Sequence, residues 1–542
     1  MSSSTPAPFL LSPTYSFDGN DGAWSSFAIE VGTPPQSFRV LPSTASSEIW
    51  VPIPAGCQGI LSGVTDCDSL RGSDSNLGFQ TNSSTTWSQI GIYELTAEES
   101  LFGAGDSGLY GRDNVTLEAL TTGKAQNVSS QLIAGFASGN YWLGELGLGI
   151  ASGNFSVQSK NIPSLLESMK TDNLVPSLSF GYSAGASYEE DAGGLVLGGY
   201  DTARMSDTNL TVPLGGDKNQ TLGVAVKGIV AQNVFGGTLS LATEGSIAAR
   251  IDSTVSHLWL PQAVCDSFAN AFGLKYDNDT QLYLYANSSV HSQLLSMNPT
   301  VTFTIGPNDT TSSDTTNVVL PYSALNLNAS IPYYNSSTPY LPIKVAQNES
   351  QYVLGRALLQ EAYIFVDWER QNLTIAQAVH QNATTNIVPV LPPSADSYTG
   401  GGTIGSSSLS TGTIAGIAVG AAAASILAAA LAIFFVVRKR RQQRKMKEKE
   451  AEEAAPMSED QKAAGHEDVP ELHGEHAIGA EIDSGQLHEL PQNERKNELM
   501  STPIAEMPGN VAGAELEGNG EMGILSRDKK GPKKDVTVYE LP

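Results

Sequence analysis

Positive charge is what this sequence has least of. Its 542 residues hold 30 Lys and Arg against 56 Asp and Glu, a formal net charge of −26. So acidic a chain repels phosphate backbones, which excludes nucleic acid as a partner. Cysteine is scarcer still: three residues cannot build a disulfide framework, and no Cys-x-x-Cys pair is there to hold zinc. No phosphate-binding loop occurs. We therefore expect no metal and no cofactor. His473 and His476 stand close together, but two histidines in a tail with scarcely any aromatics are no ligand set. The first residues also lack a basic start and an apolar stretch of seven or more, so they are not a signal peptide, and we expect a leader ahead of this start.

Long apolar runs are absent with one exception. Residues 414–437 are twenty-four residues without a charge. At about 1.5 Å per residue they span a bilayer core of about 30 Å. Arg438, Lys439, Arg440, Arg441, Arg444, Lys445, Lys447 and Lys449 follow at once, which places that side in the cytosol. Stop-transfer suffices to explain this cluster, although it also suits anionic inner-leaflet lipid. Asn-x-Ser/Thr sequons occur at Asn82, Asn114, Asn127, Asn154, Asn209, Asn219, Asn278, Asn287, Asn308, Asn328, Asn335, Asn348, Asn372 and Asn382. All fourteen precede the apolar run, as expected for glycosylation of an extracytoplasmic domain. The chain reads as a single-pass protein of the plasma membrane or cell surface, with its N-terminal domain outside. Residues 381–413 read as a Ser/Thr/Gly-rich stalk and 438–542 as a disordered cytoplasmic tail, in which Tyr539 is a candidate modification site.

Two segments of the large domain resemble each other. The first runs Gly32-Thr-Pro-Pro-Gln-Ser-Phe-Arg-Val-Leu-Pro-Ser43-Thr44-Ala45-Ser46-Ser47-Glu-Ile-Trp50-Val-Pro52, the second Ile251-Asp252-Ser253-Thr254-Val255-Ser256-His257-Leu258-Trp259-Leu260-Pro261. An internal repeat of this kind implies two lobes about a pseudo-twofold axis. The first segment resembles the active-site loop of pepsin-family aspartic peptidases, G-T-P-x-Q-x-F-x-V-x-x-D-T-G-S-S-x-x-W-V-P, and the second resembles its partner, I-D-[ST]-G-x-S. The register is unbroken, so Ser43 stands at the first catalytic aspartate while Asp252 stands at the second. Ala45 and Thr254 replace the loop glycines.

The chemistry implied by the resemblance needs both carboxylates. Two acids about three ångströms apart share one proton; the ionised member takes a proton from water and the other donates to the scissile carbonyl. A serine hydroxyl cannot act as that base. Losing one partner costs on the order of 10²–10⁴ in rate. The resemblance also implies that the Thr44 and Ser253 hydroxyls bond across the lobes beneath the dyad.

Further landmarks follow in family order: Gly108-Leu-Tyr-Gly-Arg-Asp-Asn-Val115, Leu143-Gly144-Glu145-Leu146-Gly147-Leu148-Gly149, Leu195-Val-Leu-Gly198-Gly199-Tyr200-Asp201, and Tyr352-Val-Leu354-Gly355 through Asp367. Leu143 and Glu145 depart from a segment where the family has Asp and an apolar residue. Tyr93 is the candidate flap tyrosine, with a core strand tyrosine as the alternative. Cys57 and Cys67 flank a loop where pepsin relatives carry a disulfide; Cys265 is expected to be a buried apolar residue. The combination resembles membrane-anchored pepsin-like proteins of filamentous fungi with eroded catalytic motifs.

The expected architecture is all-β and bilobal: an N-terminal tail at 1–12, a pepsin-like domain over 13–380 with the lobe boundary near 205–215, then stalk, helix and tail. Three functions follow. One is a catalytically deficient, monomeric surface protein whose cleft still binds extended polypeptide or wall glycoprotein. The second is an acid endopeptidase working through Asp252, water and Ser43. The third is a surface sensor signalling through its tail.

Overall fold

The computed structural model describes residues 5–393, apart from 75–77, 96–98, 103–105, 156–160, 216–220, 243–244, 309–311 and 381–384. The apolar run 414–437, the segment 438–542 with His473, His476 and Tyr539, and the sequons Asn219 and Asn382 lie outside the described residues. Among the described residues no helix is long and apolar enough to cross a membrane.

Strands here follow period-two burial. Ser107–Glu118 and Thr300–Gly306 alternate between core and surface along most of their length, as a half-buried pleated strand must. The N-terminal half forms an eight-stranded sheet in the order Pro13–Asp18, Trp24–Val31, Gln36–Ser43, Gly144–Gly147, Ile49–Pro52, Ala125–Phe136, Ser107–Glu118, Ser88–Glu94. Trp24–Val31 also pairs with Ser107–Glu118, which curls the sheet into a barrel. The C-terminal half forms a comparable sheet around Gly223–Val234, Ile247–Ile251, Val353–Leu354 and Leu258–Leu260.

The repeat read from the sequence is visible strand by strand. Gln36–Ser43 runs parallel to Gly144–Gly147, which runs antiparallel to Ile49–Pro52. Ile247–Ile251 runs parallel to Val353–Leu354, which runs antiparallel to Leu258–Leu260. Beneath both, a six-stranded sheet joins the halves: Ser179–Ala186 pairs with Ala362–Asp367, from Ser179 opposite Asp367 to Tyr182 opposite Ile364. The fold is the mostly β, pepsin-like one.

Two expectations need correction. The domain is not purely β: Gln262–Phe272 is a helix that buries Val264, Cys265, Phe268, Ala271 and Phe272. That spacing makes one apolar stripe, and Gly273 at φ +63° terminates it. The fold also extends beyond 13–380. Phe9–Leu11 pairs with Asp191–Leu197, and Ile387–Pro389 pairs with Gly199–Asp201, so residues assigned to tail and stalk are sheet edges. Cys57 and Cys67 form a disulfide. Cys265 is a free, fully buried thiol, pushed up to about 12 by burial and by Asp266.

The joining sheet carries a titratable clamp. His380 places Nδ1 3.0 Å from Asp191 Oδ2 and Nε2 3.1 Å from Glu361 Oε1, linking N-terminal and C-terminal chain. Burial alone would lower the imidazole, but the hydrogen bonds to Asp191 and Glu361 outweigh it and raise it to about 9. A folded value above the unfolded one, about 6.5, gives stability that is fully present below about pH 6.5 and is lost as pH rises through about 9. We predict that on the order of 2–3 kcal/mol disappears across that window. Urea unfolding of wild type and His380→Gln at pH 6 and pH 9.5 checks this; the variant should show most of the slope gone.

Candidate active site

Both candidate loops begin where a buried strand runs out of apolar residues. Gln36–Ser43 ends on Ser43 and Ile247–Ile251 ends just before Asp252. Each loop then bonds its own backbone: Ser46 N donates to Ser43 Oγ at 3.1 Å, and Thr254 N donates to Asp252 Oδ1 at 2.9 Å. Gly147 and Gly355 pass directly beneath. A Cβ would lie 2.5 Å from Glu48 N at the first and 2.4 Å from His257 O at the second, so only glycine fits.

The loops clasp each other. Thr44 N donates to Ser253 Oγ at 3.0 Å, and Ser253 N donates to Thr44 Oγ1 at 2.9 Å. Ser253 Oγ also donates to Pro42 O at 2.6 Å. All of these groups are buried, so the bonds exclude competing water.

Above the clasp, Ser43 Oγ lies 2.7 Å from Thr254 Oγ1. Asp252 Oδ2 has no hydrogen-bond partner and faces Arg250 Nε at 3.7 Å. Ser43 and Asp252 are both 0% exposed, whereas Ala45 is exposed. Tyr93 does not lie over this site: its ring packs on Phe155 at 4.9 Å and Tyr110 at 6.0 Å, inside the N-terminal lobe. Leu101 and Phe102, in the connection between Ser88–Glu94 and Ser107–Glu118, pack instead against a second-lobe cluster of Val255, Trp259, Ala346 and Val353.

A second acid joins Asp252 in the site. Glu145 lies opposite Leu41 on one side and Trp50 on the other. Paired residues share a sheet face, and so do residues two apart on a strand, so Glu145 shares a face with Ser43. It is 4% exposed, and its Oε2 has no hydrogen-bond partner. Burial first, then the charge of Asp252, pushes its carboxyl up to about 8, against the pull of Arg356 and of a hydrogen bond from Ser43. Glu48 adds to the upward push and is itself raised by burial, while Trp50 Nε1 at 2.9 Å and Tyr110 Oη at 3.0 Å oppose that.

Glu145 opens onto a cleft pocket lined also by Asp21, Trp24, His257, Lys344 and Arg356. Arg356 donates from Nη1 to the carbonyls of Ser253 and Thr254, each at 2.8 Å, and its guanidinium stacks 4.9 Å from the Trp24 ring. Burial would raise Asp21, but the Arg356 charge and the hydrogen bonds from Ser256 and Trp24 hold it below the usual range. Burial and Lys344 lower His257 to about 3, so it is neutral. In the sequence Glu145 stands out only as a departure from the family pattern, and the others carry no assigned role. The available signal was charge where the pattern is apolar, at Glu145 inside Leu143–Gly149.

The structure thus brings Ser43, Thr44, Asp252 and Ser253 together and leaves Tyr93 apart. Among the described residues no cluster of His, Cys, Asp and Glu suits a metal ion. Ten of the sequon asparagines are exposed, and Asn114 and Asn372 are half-buried. For the clasp we predict that Ser253→Ala, which strands Thr44 N–H and Pro42 C=O, costs about 2–3 kcal/mol in chemical denaturation. A loss under about 0.5 kcal/mol would show that the loops do not depend on it.

Residues 26–378 match the eukaryotic aspartyl protease family. Pepsin B of Canis lupus familiaris is 28% identical over 347 residues, 62% of this chain and 77% of that protein. Cathepsin E of Aquarana catesbeiana is 28% identical over 280 residues, 51% of this chain and 62% of that protein. The acid protease of Saccharomycopsis fibuligera is 23% identical over 365 residues, covering 66% and 82%. With its two lobes, its paired loops and a family match over most of the described residues, the chain belongs to the eukaryotic aspartyl protease family.

Proposed function

We propose that this protein is a cell-surface, membrane-anchored member of the family whose cleft binds extended polypeptide and whose two-aspartate chemistry is disabled. The observation that carries this is the hydroxyl pair between the loops. Where the chemistry needs a second carboxylate and a water, Ser43 Oγ and Thr254 Oγ1 bond to each other at 2.7 Å. Neither hydroxyl can serve as a base at acidic or neutral pH. Thr254 adds bulk where a glycine would leave backbone room for substrate. The clasp and the pocket remain, so the scaffold for holding a polypeptide is intact even though the dyad is not.

Anchoring rests on the uncharged run 414–437 with its basic flank, and exposure on the twelve described sequon asparagines, none of which is buried. In alkaline carbonate extraction of cells, the full chain should stay in the membrane pellet and shift in mass on N-glycosidase treatment. Release into the supernatant would refute the anchor.

The catalytic half of the proposal is tested by rate. Between about pH 3 and 6, where a shared-proton dyad works, the purified full chain should cleave denatured protein at least about 10²-fold more slowly than a two-aspartate relative. Ser43→Asp alone should recover little, because Thr254 still fills the loop. Asp at 43 combined with Gly at 45 and 254 is the construction that should recover most. Wild-type cleavage at the speed of a two-aspartate relative would sink this reading.

A further inference from the structure

We propose that Glu145 supplies the second carboxyl of a replacement pair with Asp252, so that the cleft retains slow peptide hydrolysis through a Glu–Asp couple. This rests on the reading of Ser43 as a lost dyad position, and adds where the missing acid has gone.

The placement argument comes from the ladder. Glu145 is held opposite Leu41, and Leu41 is two residues before Ser43 on the same face. Two residues of strand are about 6.6 Å, within reach of a glutamate leaning along the strand toward the serine. The Ser43 hydroxyl and the Asp252 charge both act on the Glu145 carboxyl. The pseudo-twofold axis sharpens the point. Val353 is the counterpart of Glu145, opposite Arg250 and Trp259 as Glu145 is opposite Leu41 and Trp50. The second lobe has a buried valine and an aspartate; the first has a buried glutamate and a serine. Each lobe keeps one carboxyl.

Two buried carboxyl oxygens, Glu145 Oε2 and Asp252 Oδ2, are without hydrogen-bond partners. An unpaired buried acceptor is costly and marks a place prepared for a bound group. A water and a substrate carbonyl are such groups. Titratable groups facing Glu145 come from several elements: Asp252 and Glu48 from the two loops, Arg356 from behind the second loop, and Asp21, the neutral His257 and Lys344 around the pocket. Arg250 faces Asp252. Glu145 is the acid that holds its proton, because burial and the neighbouring Asp252 disfavour a charge on it.

Hydrolysis then balances with these two groups alone. Asp252 takes a proton from water as the water oxygen bonds to the carbonyl carbon, and Glu145 gives its proton to the carbonyl oxygen. The resulting diol collapses as the C–N bond breaks. Asp252 returns its proton to the leaving nitrogen, and Glu145 takes one back from a diol hydroxyl. One water is consumed and both carboxyls end as they began.

The test is kcat/KM of the purified full chain on a quenched fluorescent peptide from about pH 3 to 10. Wild type should show slow cleavage whose upper limb falls above about pH 8, where Glu145 loses its proton. Glu145→Gln and Asp252→Asn should each lower kcat/KM at about pH 5 by at least about 10²-fold. Circular dichroism verifies that both variants are folded. If Glu145→Gln does not fold, the wild-type limb decides: a fall above about pH 8 supports the pair, and a fall from about pH 6 overturns it. Absence of wild-type cleavage, or cleavage that folded Glu145→Gln retains, also overturns it. Neither of those last outcomes touches the loss of the two-aspartate mechanism, which the comparison of absolute rates judges separately.

Discussion

The reciprocal hydrogen bonds between Thr44 and Ser253 are the constraint on which the site depends. Each loop satisfies the other's backbone N–H with a side-chain oxygen, so neither loop can be placed without its partner. Because both pairs are buried, breaking them exposes polar groups to an interior that offers no substitute. The third bond, from Ser253 Oγ to Pro42 O, reaches into the strand that ends at Ser43. The separation of Ser43, Thr254 and Asp252 is therefore set by backbone hydrogen bonding in two sheets rather than by the acids. A scaffold built in this way tolerates replacement of a dyad member without losing the cleft.

What it tolerates less readily is buried charge. Glu145, Asp252, Asp21, Lys344 and Arg356 all lie in or beside one pocket with little exposure. Arg356 is the organising cation. It holds two carbonyls of the second loop, faces Asp21 at 3.8 Å, stacks on Trp24 and pulls against the upward shift of Glu145. Replacing such a network with apolar residues would often stabilise a protein, so its presence is weak evidence for stability and better evidence of a use.

Much of this was legible in the sequence. Two loop motifs in register, with glycine-rich landmarks between and after them, fixed a bilobal β fold, because those glycines mark where backbone passes under backbone. Gly147 and Gly355 illustrate it: each is required by an approach that leaves no room for a Cβ. The helix Gln262–Phe272 and the edge strands Phe9–Leu11 and Ile387–Pro389 were not legible. The helix was masked by the strong β pattern around it. The edge strands are only three residues long, too short for a period to register, and depend on partners far away in sequence. In the site, Ser43, Asp252, Thr44 and Ser253 could be read from spacing. Glu145 could be seen only as a departure, since its position beside Ser43 is a consequence of parallel pairing between residues about a hundred apart.

The departures from the family pattern are consistent with one another. With Glu145 in place, an aspartate at 43 would put a fourth carboxyl among Glu145, Asp252 and Glu48, all within one buried neighbourhood. Like charges so placed cannot all ionise, and each neutral acid would need a donor or acceptor that the interior does not provide. Serine removes that conflict. Its hydroxyl can donate to the Glu145 carboxyl while accepting from Ser46 N and lying against Thr254. Thr254 is compatible for the same reason, supplying a hydroxyl at the spot where Ser43 is one atom shorter than an aspartate. Ser43, Thr254 and Glu145 thus form one rearranged polar unit rather than three independent losses.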